Sequence, residues 1–259
     1  MDSKQKARSN RGQIAEGYEV EWQDLSSSEL ILLLEDPAAA VRSAAARLLG
    51  YRRELLAIAG LSNRLKKETA LYSRLEICTA LSRIGEPAIP ALISLLGQIG
   101  QNQHNSLPEK GFRKRSYPLP RDLAARVIIR MGSPALPMLE EVVREGDPRR
   151  AREAVDAIGH ISYTEKTVRS EAVLIAAYQS AQGDPVLQWK LIRAFQSFPS
   201  EKTRLILIST ILHDSRPPLR WEAVRSLGLM TRDIPSDVLK HGRNDPDGEV
   251  RSMARLFMG

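Results

Sequence analysis

Two tryptophans each stand four residues ahead of an arginine, in Trp189-x-x-x-Arg193 and Trp221-x-x-x-Arg225. On a helix that spacing sets each guanidinium beside an indole, where the cation can stack on the ring. Trp and Arg dominate the energetics of binding interfaces, and they also suit stacking on bases and contact with phosphates. From residue types alone, the same two tryptophans serve equally well as fillers at the edge of a core. Patterns that perform catalysis are missing. His104, His160, His213 and His241 show no ligand spacing, and there is no Gly-rich phosphate loop, G-x-S-x-G elbow or cysteine pair. Cys78 is the single cysteine, which excludes an internal disulfide and fits a reducing compartment. The expectation is a non-enzyme, with no catalytic residue, no metal site and no cofactor.

The elements that would position these side chains repeat along the chain. VRSAAARLLG (41–50), LRWEAVRSLG (219–228) and EVRSMARLFMG (249–259) carry one pattern, with an Arg eight residues before a Gly. Weaker copies start at positions 74, 121, 151 and 188, so seven frames recur at intervals near thirty residues, with one long interval between 74 and 121. Helix-start chemistry precedes several copies: Asp36-Pro37, Asp147-Pro148, Asp184-Pro185 and Asp245-Pro246 place a capping carboxylate before a proline at the first helical position. Ser26 and Glu29 have capping-box spacing. Apolar helical stretches such as ELILLLE (29–35) and RLILISTIL (204–212) lie upstream. The unit is therefore one helix, a tight turn and a second helix. Five residues before the frame glycine stand Ala45, Ile77, Ala124, Ala154, Leu191, Ala223 and Ala254, the buried stripe of the second helix. A helix pair cannot bury its apolar faces alone, so neighbouring pairs must stack.

Two arginine columns follow from this frame. Arg42, Arg74, Arg121, Arg220 and Arg251 head the second helices, and they read as a structural ladder paired to turn carboxylates such as Asp36, Asp214 and Asp245. Three residues before the frame glycine stand Arg47, Thr79, Arg126, Asp156, Arg193, Arg225 and Leu256, on a face turned away from the apolar stripe. The chain carries a net charge of +7. The seven second-helix windows hold 18 Lys or Arg against 7 Asp or Glu, so the positive charge is concentrated on one wall, predicted to be concave and open to solvent.

The D-P-x(n)-V-R-x-x-A-A-x-x-L-G pattern resembles HEAT repeats, in the form known from phycobilisome lyases. The resemblance covers residues 26–259 and implies an all-α solenoid of about seven helix pairs. Residues 1–25, with Lys4, Lys6, Arg8 and Arg11, are expected to be a flexible basic segment. Residues 97–119 interrupt repeat three as a polar loop carrying Arg113, Lys114 and Arg115 between Phe112 and Tyr117. Loops inserted in repeat arrays often bind. As a tolerated insertion, this one would cost little stability if residues 101–117 were deleted.

Function follows less directly, since one repeat serves many roles. The favoured expectation is a non-catalytic scaffold that presents Trp189, Arg193, Trp221, Arg225, Arg126, Arg47, Arg113, Lys114 and Arg115 to an acidic protein partner. Nucleic-acid binding is the alternative, by analogy with DNA glycosylases built of HEAT-like repeats, although Glu222 and Asp156 look distant from the tryptophans. A tetrapyrrole lyase or chaperone role is suggested by the family name alone. Met253, Leu256, Phe257 and Met258 on the last helix predict a sticky C-terminal edge and possible self-association. No apolar run reaches the roughly 20 residues of a membrane span, and MDSKQKARSNRG has no hydrophobic stretch of the kind a secretory signal needs. Cytoplasm is the expected compartment.

Overall fold

A computed structural model describes residues 3–258 of the chain. The last frame glycine, Gly259, and the side chain of Lys4 lie outside the described residues. The described residues contain helices and no strand, and the fold is an α-solenoid of helix pairs. Contacts gather into two units that divide at Gly100 and Gln101, inside the inserted loop. The first unit holds α1 (Ser3–Asn10), α2 (Ser27–Leu33), α3 (Ala39–Tyr51), α4 (Ile58–Lys67), α5 (Leu71–Ile84) and α6 (Ile89–Ile93). The second holds α7 (Leu123–Ile128), α8 (Leu136–Glu145), α9 (Pro148–Glu165), α10 (Glu171–Ser180), α11 (Pro185–Ala194), α12 (Glu201–His213), α13 (Pro217–Met230), α14 (Ser236–Arg243) and α15 (Gly248–Phe257). None of these helices is long and apolar enough to cross a membrane.

The repeat frame is visible in the packing of each unit. In the first, the second helices α3 and α5 lie against each other; in the second, α9, α11, α13 and α15 stack in sequence. All seven residues of the predicted apolar column, from Ala45 to Ala254, are fully buried. The frame glycine exists for close approach of these helices. A Cβ on Gly50 would fall 2.7 Å from the Ala80 Cα of α5, and one on Gly228 would fall 2.7 Å from the Phe257 carbonyl carbon of α15.

Helix starts follow the sequence chemistry with one variation. Asp147 and Asp184 cap α9 and α11, each followed by proline at the first turn, and Ser26 with Glu29 forms the capping box of α2. Asp36 and Asp245 instead accept the amide two residues on, at Ala38 and Asp247, so α3 and α15 begin after a short turn. The Arg ladder is present where a carboxylate is within reach. Arg42 donates bidentately to buried Glu68, and Arg220 to buried Asp245. Arg42 reaches Asp36 through its backbone carbonyl, while Arg74 and Arg251 bond only carbonyls of the preceding turns.

Ser3–Asn10 is helical, and the chain after it is pinned to the first unit. The Arg11 carbonyl accepts the Tyr72 amide, and the Gly12 carbonyl accepts the buried Ser43 hydroxyl. Arg47 also holds this segment, through the Ala15 carbonyl and the Glu19 carboxylate, and its other arm reaches Glu76 at 2.5 Å. Arg47 is thus an intramolecular tie in the first unit and not part of an open wall.

Candidate functional site

In the second unit the inserted chain between Gln101 and Asp122 is a strap laid across the second helices. Asp122 caps α7 through the Ala125 amide and accepts the Gln103 side chain at 2.9 Å, which closes the base of the strap. From there His104 meets Trp189 of α11 edge-on, with ring centroids 4.8 Å apart. The far turn reaches α15. The Gly111 amide donates to Glu249 at 2.9 Å, and Arg113 donates to Glu249 at 2.7 Å and to the Ser252 hydroxyl at 3.0 Å. On the return, Arg225 of α13 donates to the carbonyls of Lys114 and Ser116, and Tyr117 packs between His160 and Tyr163 of α9.

The strap changes the reading of the Trp-Arg wall. Trp189 and Trp221 are each 1% exposed, Arg193 is 5% exposed and Arg225 is fully buried. The expectation that this column faces solvent is therefore corrected at Arg193 and Arg225. A helical wheel shows which residues point away from neighbouring repeats, but a segment from elsewhere in the chain covers that face. The predicted contacts do form in part. The Arg193 guanidinium lies 3.9 Å over the Trp189 ring, and the two indoles meet edge to face at 6.3 Å. Arg225 stacks instead on Phe112 of the strap, 5.1 Å away, and on Phe257 at 5.8 Å.

Charges buried beneath the strap are paired. Glu222, fully buried, accepts from Arg193 at 3.0 Å and from Arg225 at 3.1 Å. Lys190, also fully buried, holds Glu153 at 2.7 Å and Asp156 at 2.9 Å. Glu222 and Asp156 are thus part of the tryptophan cluster and not distant from it. Burial pushes the Glu153 carboxyl up to about 7, with neighbouring Asp156 adding to the rise and Lys190 opposing it. Burial lowers His104 to about 4, and the adjacent cations of Arg121 and Lys190 push the same way, so its ring is held neutral. Burial lowers Arg225, against the pull of Glu222.

The remaining predicted residues lie on the outside of the strap or beside its base. Arg113, Lys114 and Arg115 are exposed, with Arg113 engaged by Glu249 and Arg115 lying 5.7 Å over Phe257. Arg126 is exposed and donates to the Pro120 carbonyl. The strap also closes the C-terminal edge. Met253, Phe257 and Met258 are buried and only Leu256 is open, at 43%, so the apolar surface expected to drive self-association is not presented. The sequence did not single out Glu249, and it offered His104, Glu222 and Asp156 without a place in this cluster. The i,i+3 spacing of Glu222 and Arg225 was the one signal present, since the other partners come from different repeats.

A cavity of about 290 Å³ lies between the strap and the helices. Its wall includes His104, Lys110 and Phe112 of the strap, Arg121 and Arg126 near α7, and Asp156, Trp189 and Arg193 of α9 and α11. The described residues contain no cluster of His, Cys, Asp and Glu able to hold a metal ion.

Among known families, HEAT repeats match residues 27–98 and 171–258. A chain in the structure of the complex of CpcE and CpcF of phycocyanin lyase from Nostoc sp. PCC7120 is similar at 16% identity, over 91% of this chain and 94% of that one, with a TM-score of 0.35. No curated protein matches the sequence.

Proposed function

The chain belongs to the HEAT-repeat family, and on that premise we propose that it is a non-catalytic binding scaffold that docks an acidic protein surface on the outer face of its strap. One observation carries this reading. Lys110, Lys114 and Arg115 are exposed and form no ion pair among the described residues, yet they stand on backbone tied down at Glu249 and Arg225. Cations held on an anchored segment lose little freedom when a partner arrives, which lowers the cost of binding. Arg121, Arg126 and Arg130, nearby in sequence, are also exposed and form no ion pair among the described residues. Such a surface speeds encounter with acidic partners and sets specificity more than it adds affinity.

Nucleic acid fits less well. Binding to bases needs open aromatic platforms, and Trp189 and Trp221 are both covered. The test uses a fluorescent Glu-rich dodecapeptide and a generic duplex DNA of similar length, titrated at several salt concentrations. Lys114→Glu with Arg115→Glu should weaken the peptide at least tenfold while the far-ultraviolet circular dichroism is unchanged. Equal peptide binding by wild type and variant refutes the proposal. Tighter binding to the duplex, with a steep salt slope, would hand the surface to nucleic acid.

A further inference from the structure

The cavity under the strap has features that the docking surface does not use. Its volume, about 290 Å³, is that of roughly ten liquid waters and sits at the lower end of the range for small-molecule pockets. Four cationic side chains line it, Lys110, Arg121, Arg126 and Arg193, against the single carboxylate of Asp156. Of these, Lys110, Arg121 and Arg126 are exposed and form no ion pair among the described residues. Asp156 is already matched by Lys190, so the excess at the mouth is positive.

The floor provides a second, independent observation. Trp189, Asp156 and Arg193 are 1%, 3% and 5% exposed, and each has one polar atom without a partner inside the protein: the indole Nε1, one carboxylate oxygen and the guanidinium Nε. His104 Nδ1 is in the same position on the strap side. Buried polar groups are satisfied in nearly all proteins, and each one left open costs stability. All four of these residues line the same cavity. Two of the open groups donate, the Asp156 oxygen accepts, and the neutral His104 ring accepts or donates according to its tautomer. Phe112 and the Trp189 indole add apolar wall.

We propose that this cavity binds a small organic anion of about single-ring size, with its phosphate or carboxylate at Arg121 and Arg126 and a hydrogen-bond donor at its far end reaching Asp156. Guanidinium groups bind both headgroups through paired N–H donors, so the chemistry at the mouth is shared. The strap forms the roof of this site, and entry runs along the Arg121 and Arg126 side. The docking surface also draws on Lys110, Arg121 and Arg126, so the two readings are told apart at Lys114 and Arg115, which do not line the cavity.

Four probes separate the parts. 4-Hydroxybenzoate and 4-hydroxyphenyl phosphate carry anion and donor, benzoate lacks the donor, and 4-hydroxybenzamide lacks the charge. Binding is read by isothermal titration calorimetry and by quenching of tryptophan emission. One of the two hydroxylated anions, or both, should bind at one site per chain with Kd on the order of 0.1–1 mM, as expected for ligands of this size. Which binds tighter identifies the headgroup. Benzoate and the neutral amide should each bind at least fivefold more weakly than 4-hydroxybenzoate if the carboxylate is preferred. Arg121→Ala with Arg126→Ala should weaken the preferred anion at least tenfold and leave Lys114→Glu with Arg115→Glu as the unaffected control. Arg126→Gln alone repeats the test if the double variant melts early. The proposal is overturned if neither hydroxylated anion saturates by about 10 mM, which would leave ordered water as the occupant. It is equally overturned if the amide binds as well as the acids, or if the arginine variants bind unchanged.

Discussion

Gly159 and Tyr117 should behave as one unit although they are far apart in the chain. A Cβ added to Gly159 would fall 2.7 Å from Tyr117 Cζ and closer still to its hydroxyl, and 3.0 Å from the Ala194 Cβ. Gly159→Ala must therefore expel the Tyr117 ring, which is 5% exposed. A buried Tyr removes about 150–250 Å² from water, and at about 25 cal/mol per Å² its expulsion costs up to about 4–6 kcal/mol. Replacing a helical Gly by Ala returns about 0.5–1 kcal/mol, so a net loss of about 3 kcal/mol is expected, comparable to the ~3–5 kcal/mol of truncating a buried aromatic in Tyr117→Ala. With the ring removed, the new methyl has only the Ala194 contact to accommodate. The double variant should thus cost little more than Tyr117→Ala alone, which gives a coupling of about 2–3 kcal/mol. Urea unfolding followed by tryptophan emission in a Trp22→Phe background reports the second unit alone, since Trp189 and Trp221 both belong to it. Additive losses, or a Gly159→Ala variant as stable as wild type, would refute the packing of the strap on α9.

Replacing residues 103–117 with a Gly-Ser stretch of equal length should red-shift tryptophan emission and lower the melting temperature by several degrees, because Trp189 and Trp221 lose their cover; an unchanged spectrum would restore the expectation that this loop is a tolerated insertion. Glu222→Gln should cost about 3–5 kcal/mol in a thermal or urea melt, since it leaves the buried Arg193 and Arg225 without their shared carboxylate. Two carboxyls set opposite pH trends. Burial pushes Glu68 up, but hydrogen bonds from Arg42 and Arg64 and the Ala70 amide outweigh it and hold the group at about 2, so its contribution is present above about pH 4.5 and lost as pH falls towards 2. Glu153 is raised to about 7, so its contribution is complete below about pH 4.5 and lost as pH rises through 7. The melting temperature of wild type relative to Glu153→Gln should therefore fall between pH 4.5 and 7, and a flat difference would place Glu153 at its ordinary value.

The repeat was legible because everything that makes it is local. A cap, a turn and one apolar stripe occupy about thirty residues, and the same physics acts on each copy. The column from Ala45 to Ala254 is buried throughout for that reason, as Gly50 and Gly228 are small where helices of adjacent repeats touch. The i,i+4 step likewise put Arg193 over Trp189 without reference to the rest of the chain. What covers those side chains was not legible. Gly111 meets Glu249 across 138 positions, and a polar strap without periodicity leaves no pattern that names its partner. The Phe112 to Tyr117 cluster was visible as a basic loop with aromatics, but only the tertiary structure turned Phe112 and Tyr117 inward against Arg225 and α9 while leaving Lys114 and Arg115 outside. Repeat stacking decides which helix face is left over from the core; whether that face meets water or another part of the chain depends on long-range contacts, whose chain-entropy cost only the assembled side chains can offset.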